Sequence, residues 1–182
     1  DQAQRQGAHT VTAQFGCESV EVNELDATGG GARYLLTGAY GVGLGTTVDS
    51  LAAIEELVYR SGLLGMDELL AALRADFEGH ERLRQLLLNR TPRYGNDDDY
   101  ADEMMVAAFE AYFEAVDGRP NTKGGQHHIN LLPTTCHVYF GAVMGAMPDG
   151  RCAGIPLSEG ISPVQGADRG FDDPGRDGAC RL

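Results

Sequence analysis

INLLPTTCHVYFG, residues 129–141, is followed by GAMPDGR (145–151) and PLSEGISPVQGAD (156–168). Ile129–Leu132 and Cys136–Phe140 are short, apolar and rich in β-forming residues, and Pro133 divides them. That arrangement predicts two strand pieces entering and leaving a bend. The remainder of the stretch is loop-like, with Pro148, Pro156, Pro163 and several glycines, and too poor in periodic apolar residues to be a domain alone. Strands need partners for their backbone groups, and the sequence around these two offers few.

Upstream the pattern is helical. Leu51, Ile54 and Val58 recur at helical spacing after a cap at Thr47 or Asp49, and Gly62 stops the segment. A second helix is expected from about Asp67, with Leu69, Leu70, Leu73 and Phe77 on one face and Gly79 after it. A third, short one carries Leu83, Leu86 and Leu87 ahead of Asn89 and Pro92. Asp97-Asp98-Asp99 stands at the start of a longer helix with Met105, Phe109, Tyr112 and Val116. Carboxylates suit a helix start, where unpaired N–H groups present positive charge. Capping or solvation therefore accounts for this run better than a metal site, since EF-hand spacing is missing. His127-His128 lacks the partner ligands of a zinc site and reads as loop surface.

Further out, Gly29-Gly30-Gly31-Ala32-Arg33-Tyr34 runs on through Gly38, Gly41, Gly43 and Gly45. Such density fits either an ordered turn or a loose linker, and composition favours the linker. Residues 1–28 are polar and without clear periodicity, and Asp1–Gln6 has no apolar signal core. The 182 residues are 42% hydrophobic, enough for an ordinary core, and carry a net charge of −13. A polyanion needs a basic face, so nucleic acid and anionic membrane are disfavoured as partners. No run of 18 apolar residues is present, so no membrane span is expected. Cys17, Cys136, Cys152 and Cys180 fit no paired spacing, and a reduced, cytoplasmic protein is the default.

Four segments, in this order, together resemble the glycyl radical enzymes, the pyruvate formate-lyase-like family. They are Gly30–Tyr34 with Thr37-Gly38, Asp49–Ile54, Tyr94–Asp102 and the run from Ile129 to Asp168, covering about residues 24–169. The phrase LLPTTCHVYFG resembles the dehydratase-type branch, whose members include hydroxyproline dehydratases. The resemblance implies an α/β fold: part of a ten-stranded glycyl-radical-enzyme barrel, mostly outer helices plus one or two barrel strands. It implies three parts: an unassigned segment (1–28), a partial pyruvate formate-lyase-like domain (29–168) and a divergent tail (169–182). It further implies a cytoplasmic, anaerobic parent, a homodimer acting on a small polar metabolite. No bound cofactor is implied, but rather a protein glycyl radical installed by an iron–sulfur, S-adenosylmethionine-dependent activating enzyme.

In this family a backbone glycyl radical takes hydrogen from a cysteine, and the resulting thiyl attacks substrate. A glutamate two residues after that cysteine serves the dehydratases as general base. The glycine motif, Arg-Val-Ser/Ala-Gly-Tyr, does not occur in this chain. Cys17, in Phe15-Gly16-Cys17-Glu18-Ser19, is similar to the thiyl loop but has Ser19 at the glutamate position and stands too close to Gly30. It is read as an ordinary cysteine, leaving no catalytic residue. Thr134 and Thr135 match the bend that lines the substrate pocket, with threonines that satisfy backbone groups as an equal alternative. Tyr34 belongs to a pocket segment, although Leu35-Leu36 replaces the family's Asn-Phe after it.

The expectation is thus a fragment of a lyase that eliminates a C–O or C–X bond, inactive alone, from a truncated or split gene. A formate C-acetyltransferase fragment and a non-catalytic, partner-binding helical remnant are the alternatives. Exposed strand edges predict a free chain that is partly molten or prone to aggregate.

Overall fold

The computed structural model describes residues 36–122 and 124–167. Cys17, Tyr34 and the stretches 1–28 and 169–182 lie outside the described residues. Strand β1 (Leu36–Tyr40) leads into α1 (Leu44–Ile54) and a π-helical turn over Glu55–Arg60. Helices α2 (Met66–Arg74), α3 (Glu81–Arg90) and α4 (Asp99–Val116) follow, then β2 (Gln126–Asn130) and α5 (Cys136–Val143). The two strands form one sheet. Gly41, just past β1, donates its N–H to the carbonyl of Asn130, the last residue of β2, at 2.9 Å, so the strands run parallel.

Two compact units are present. The first contains residues 36–39 and 114–129. Here the Asn121 amide donates to the Thr37 hydroxyl (3.0 Å), and Gly118 N–H donates to the His127 carbonyl (2.9 Å). The Asp117 carboxylate accepts from Ile129 N–H and lies 3.1 Å from His128 Nδ1, while His127 Nδ1 lies 3.1 Å from the Arg119 carbonyl. Both histidines therefore close the turn ahead of β2.

The second unit, residues 40–113 and 130–167, holds the core. Ala53, Leu57, Leu64, Leu69, Phe77 and Leu87 pack there, drawn from α1, α2, α3 and their connections. Burial of this apolar surface is the main stabilising force. Asp76 and Phe77 adopt left-handed backbone (φ 49° and 63°), which turns the chain after α2 while keeping Phe77 in the core.

The expected cap of α1 is corrected. The helix begins at Leu44, behind Gly43 in left-handed backbone (φ 82°), where an added Cβ would lie 3.1 Å from the Leu157 side chain. The Thr47 hydroxyl bonds back to the Gly43 carbonyl inside the helix, and Asp49 is buried rather than capping. The glycine-dense stretch is no loose linker over its described part, since Leu36–Tyr40 is a strand. Cys136–Phe140 is also corrected: it is the start of helix α5. With only β1 and β2 as strands among the described residues, a helix satisfies these backbone groups locally, overriding β-propensity.

The acidic run behaves as expected. Asp98 Oδ1 accepts from Tyr100 N–H (3.1 Å) and Ala101 N–H (3.3 Å) at the start of α4. Asp98→Ala is expected to cost about 1 kcal/mol of local stability. Amide hydrogen exchange at residues 100–102 checks this: about five-fold faster exchange is expected, and unchanged exchange would remove the cap from the account.

Candidate functional site

The bend between β2 and α5 is built by backbone rules. Pro133 has no N–H to give a neighbouring strand, so pairing ends at Asn130 and the chain turns. Leu131 presents its carbonyl to Gly160, where an added Cβ would lie 2.4 Å from that oxygen, and Gly160 has φ 44°. Only glycine permits this approach. The far side is fastened as well, because Leu157 N–H donates to the His137 carbonyl at 3.2 Å.

Thr134 and Thr135 sit at the apex. Thr134 is half-buried, and its hydroxyl oxygen accepts a long bond from Cys136 N–H (3.4 Å). Thr135 is exposed and is the residue before α5, without a side-chain capping bond. The two hydroxyls are thus adjacent: that of Thr134 accepts from the first N–H of α5 and keeps its own hydrogen to donate, and that of Thr135 makes no capping bond. His137 stands behind them, 8% exposed, with Nδ1 2.6 Å from the Thr134 carbonyl oxygen and Nε2 4.0 Å from Glu159 Oε1. The outward side of the bend and helix is apolar: Leu132, Val138, Tyr139, Phe140 and Val143 are all exposed, Tyr139 at 73% and Val143 at 82%.

A buried charge cluster supports the region from within. Asp49 (1% exposed) accepts from Tyr94 N–H at 2.9 Å and has the Arg93 guanidinium 3.6 Å from its other oxygen, an ion contact without a hydrogen bond. Burial raises the Asp49 carboxyl to about 6, against the lowering pull of the Tyr94 N–H and Arg93, with Asp149 adding to the rise. Arg93 in turn donates to the Asp149 carbonyl. Asp149 accepts from Arg151 N–H (3.0 Å), and burial pushes its carboxyl up too. Arg151, 6% exposed, donates to the carbonyls of Ile155 and Gly145 and reaches towards that of Gly141 (3.5 Å). It therefore ties the C-terminal end of α5 to the loop that fastens the bend.

These charged residues and His137 were not singled out from the sequence as site residues. The available signal was a charge or imidazole inside an otherwise apolar phrase, as in Cys136-His137-Val138 and Met147-Pro148-Asp149-Gly150-Arg151. Among the described residues no cluster of three or more His, Cys, Asp or Glu could hold a metal ion.

Comparison with known proteins places this geometry. A family model described as pyruvate formate lyase-like matches residues 20–141. Over 139 residues the chain is 54% identical to a trans-4-hydroxy-L-proline dehydratase of Clostridioides difficile, covering 76% of this chain and 18% of that protein. Over 133 residues it is 46% identical to an isethionate sulfite-lyase of Bilophila wadsworthia, covering 70% of this chain and 15% of that one. The solved structure of the C. difficile hydroxyproline dehydratase with its substrate bound superposes at a TM-score of 0.74, with 53% identity over 79% of this chain and 18% of that one. The B12-independent glycerol dehydratase of Clostridium butyricum gives 0.72 at 37% identity, over 78% and 18%. The chain thus spans less than a fifth of the length of these relatives. The α/β expectation of outer helices and a pair of strands from a larger barrel agrees with these structures.

Proposed function

The chain belongs to the pyruvate formate lyase-like family, and from that membership we propose that it is the pocket-wall segment of a glycyl radical lyase. The parent enzyme eliminates a C–O or C–X bond of a small polar metabolite. The observation that carries this reading is the bend itself, where two adjacent threonine hydroxyls flank an exposed apolar helix face. A radical pocket has to be dry, and polar contacts act more strongly there. Val138, Tyr139, Phe140 and Val143 provide apolar surface for such a pocket once further chain covers them. Thr134 and Thr135 supply hydrogen bonds that orient substrate oxygen. The named relatives are two dehydratases and a sulfite-lyase, which favours a lyase over a formate C-acetyltransferase.

The chemistry divides between this segment and the rest of the enzyme. A cysteine thiyl, generated by a glycyl radical, removes a hydrogen atom from substrate. The segment holds the substrate oxygens while the leaving group departs; no Arg-Val-Ser/Ala-Gly-Tyr motif occurs in it, and with Cys17 read as an ordinary cysteine the thiyl comes from another part of the enzyme. The radical is installed by a separate iron–sulfur, S-adenosylmethionine-dependent activase, and the parent acts as a cytoplasmic homodimer in the absence of oxygen.

The test uses two proteins under strict anaerobiosis with the activating enzyme of the C. difficile relative. The isolated chain is expected to show no glycyl doublet by electron paramagnetic resonance and no turnover. A chimaera, the C. difficile enzyme with its matching stretch replaced by residues 36–167, is expected to show the doublet and to dehydrate trans-4-hydroxy-L-proline. A doublet on the isolated chain, or a radical-bearing chimaera without turnover, would falsify the reading.

A further inference from the structure

We propose that His137 is a positioning residue that sets the direction of the Thr134 hydroxyl by clamping the Thr134 backbone carbonyl. The proposal rests on the reading of Thr134 as a substrate-binding donor.

Three observations carry it. First, the helix ladder does not use that carbonyl. Val138 N–H, which would reach Thr134 in a regular α-helix, bonds the Thr135 carbonyl instead at 3.1 Å. Thr134 precedes Thr135, the residue before α5, so its carbonyl lies outside the helix ladder, and the first turn is tight enough that Val138 N–H does not reach back to it. Second, the imidazole takes that role. Nδ1 lies 2.6 Å from the Thr134 oxygen, and because a carbonyl only accepts, Nδ1 carries the proton. Third, the ring itself is fixed. It is 8% exposed, its own carbonyl is held by Leu157 N–H, and Nε2 faces Glu159 Oε1 at 4.0 Å. A rigid imidazole thus determines the orientation of the Thr134 peptide.

The consequence lies at the hydroxyl. Thr134 Oγ1 already accepts from Cys136 N–H, so its own hydrogen is turned away from the backbone. In that arrangement Thr134 is a donor, suited to an acceptor oxygen of the substrate, a hydroxyl or a carboxylate. Losing the clamp lets the peptide rotate and misdirects the donor without removing it.

The experiment is a double-mutant cycle in the radical-loaded chimaera, reading glycyl radical content, kcat and KM for trans-4-hydroxy-L-proline. His137→Asn places an amide N–H where Nδ1 stood, whereas His137→Gln places it at the Nε2 position. His137→Gln is expected to raise KM about ten-fold, the size of one lost hydrogen bond, with radical content unchanged. His137→Asn is expected to stay within about three-fold of the parent. Thr134→Val is expected to raise KM similarly, and adding His137→Gln to it should cost nothing further, because both act through one hydroxyl. The proposal is overturned if the two His137 variants behave alike, if both lose the radical signal, or if the Thr134 and His137 effects add. If Thr134→Val leaves KM unchanged, the pocket reading fails as well. If Thr134→Val raises KM and His137→Gln does not, only the clamp fails.

Discussion

Gly141→Ala is expected to cost about 3 kcal/mol or more and to detach α5 from the loop beneath it. A Cβ at this position would lie 2.3 Å from the Ile155 carbonyl oxygen and 2.6 Å from Pro156 Cα. Both are backbone atoms, so no rotamer change relieves the overlap, and the helix has to lift. Lifting breaks the bond from Leu157 N–H to the His137 carbonyl and pulls Arg151 away from the carbonyls of Gly141 and Ile155. Amide exchange at Leu157 should rise by two orders of magnitude or thereabouts, the kinetic image of that energy. In the chimaera, substrate affinity should fall with it, since the same bonds hold the threonine bend. Undisturbed exchange at Leu157 would mean that α5 does not pack as described.

Arg93→Ala is the second large effect, about 3–5 kcal/mol, because it leaves Asp49 as a buried carboxylate without its cation. The size should depend on pH, and the sign follows from the raised pKa. Asp49 moves from 3.8 to about 6 in the fold, so the folded state favours the neutral acid. The stability contributed by that neutral form is complete below the unfolded value and is lost as pH rises through about 6. Arg93 holds the value down, and its removal pushes it further up. The penalty is therefore greatest at about pH 7.5 and shrinks by about pH 5, where Asp49 is protonated in the variant. Asp49→Asn combined with Arg93→Met, which removes both charges, should recover much of the loss. Hydrogen exchange of the Tyr94 amide, which Asp49 holds at 2.9 Å, follows each variant. A penalty equal at both pH values would contradict the buried ion contact.

What the sequence disclosed and what it withheld have physical reasons. The helices α2, α3 and α4 were legible because apolar residues such as Leu69, Leu83, Leu87 and Met105 recur at helical spacing and end in the core. The Asp97–Asp99 run was legible because an N-terminal carboxylate has one obvious task, which Asp98 performs. The start of α1 was not, because Thr47 and Asp49 have the composition of caps while Asp49 is spent on Tyr94 and Arg93, far along the chain. No local pattern carries such a contact. Cys136–Phe140 misled for a related reason. Its β-forming residues stand on an exposed face, and the helical state is imposed by Gly141 and His137 meeting the 155–160 loop.

The candidate site divides in the same way. Thr134 and Thr135 were singled out from the phrase around Pro133, and the structure brings them to one bend, Thr134 half-buried and Thr135 exposed. Tyr34 and Cys17 lie outside the described residues. His137 was invisible as a site residue because its importance is a single bond to a carbonyl that lies ahead of the helix.

The central claim is that the Thr134–Thr135 bend faces substrate in the assembled enzyme. A crystal structure of the chimaera with trans-4-hydroxy-L-proline bound measures this directly. Thr134 Oγ1 or Thr135 Oγ1 is expected within about 3.2 Å of a substrate oxygen, with α5 lining the same cavity. Substrate bound with both hydroxyls turned to solvent or to protein backbone would contradict it.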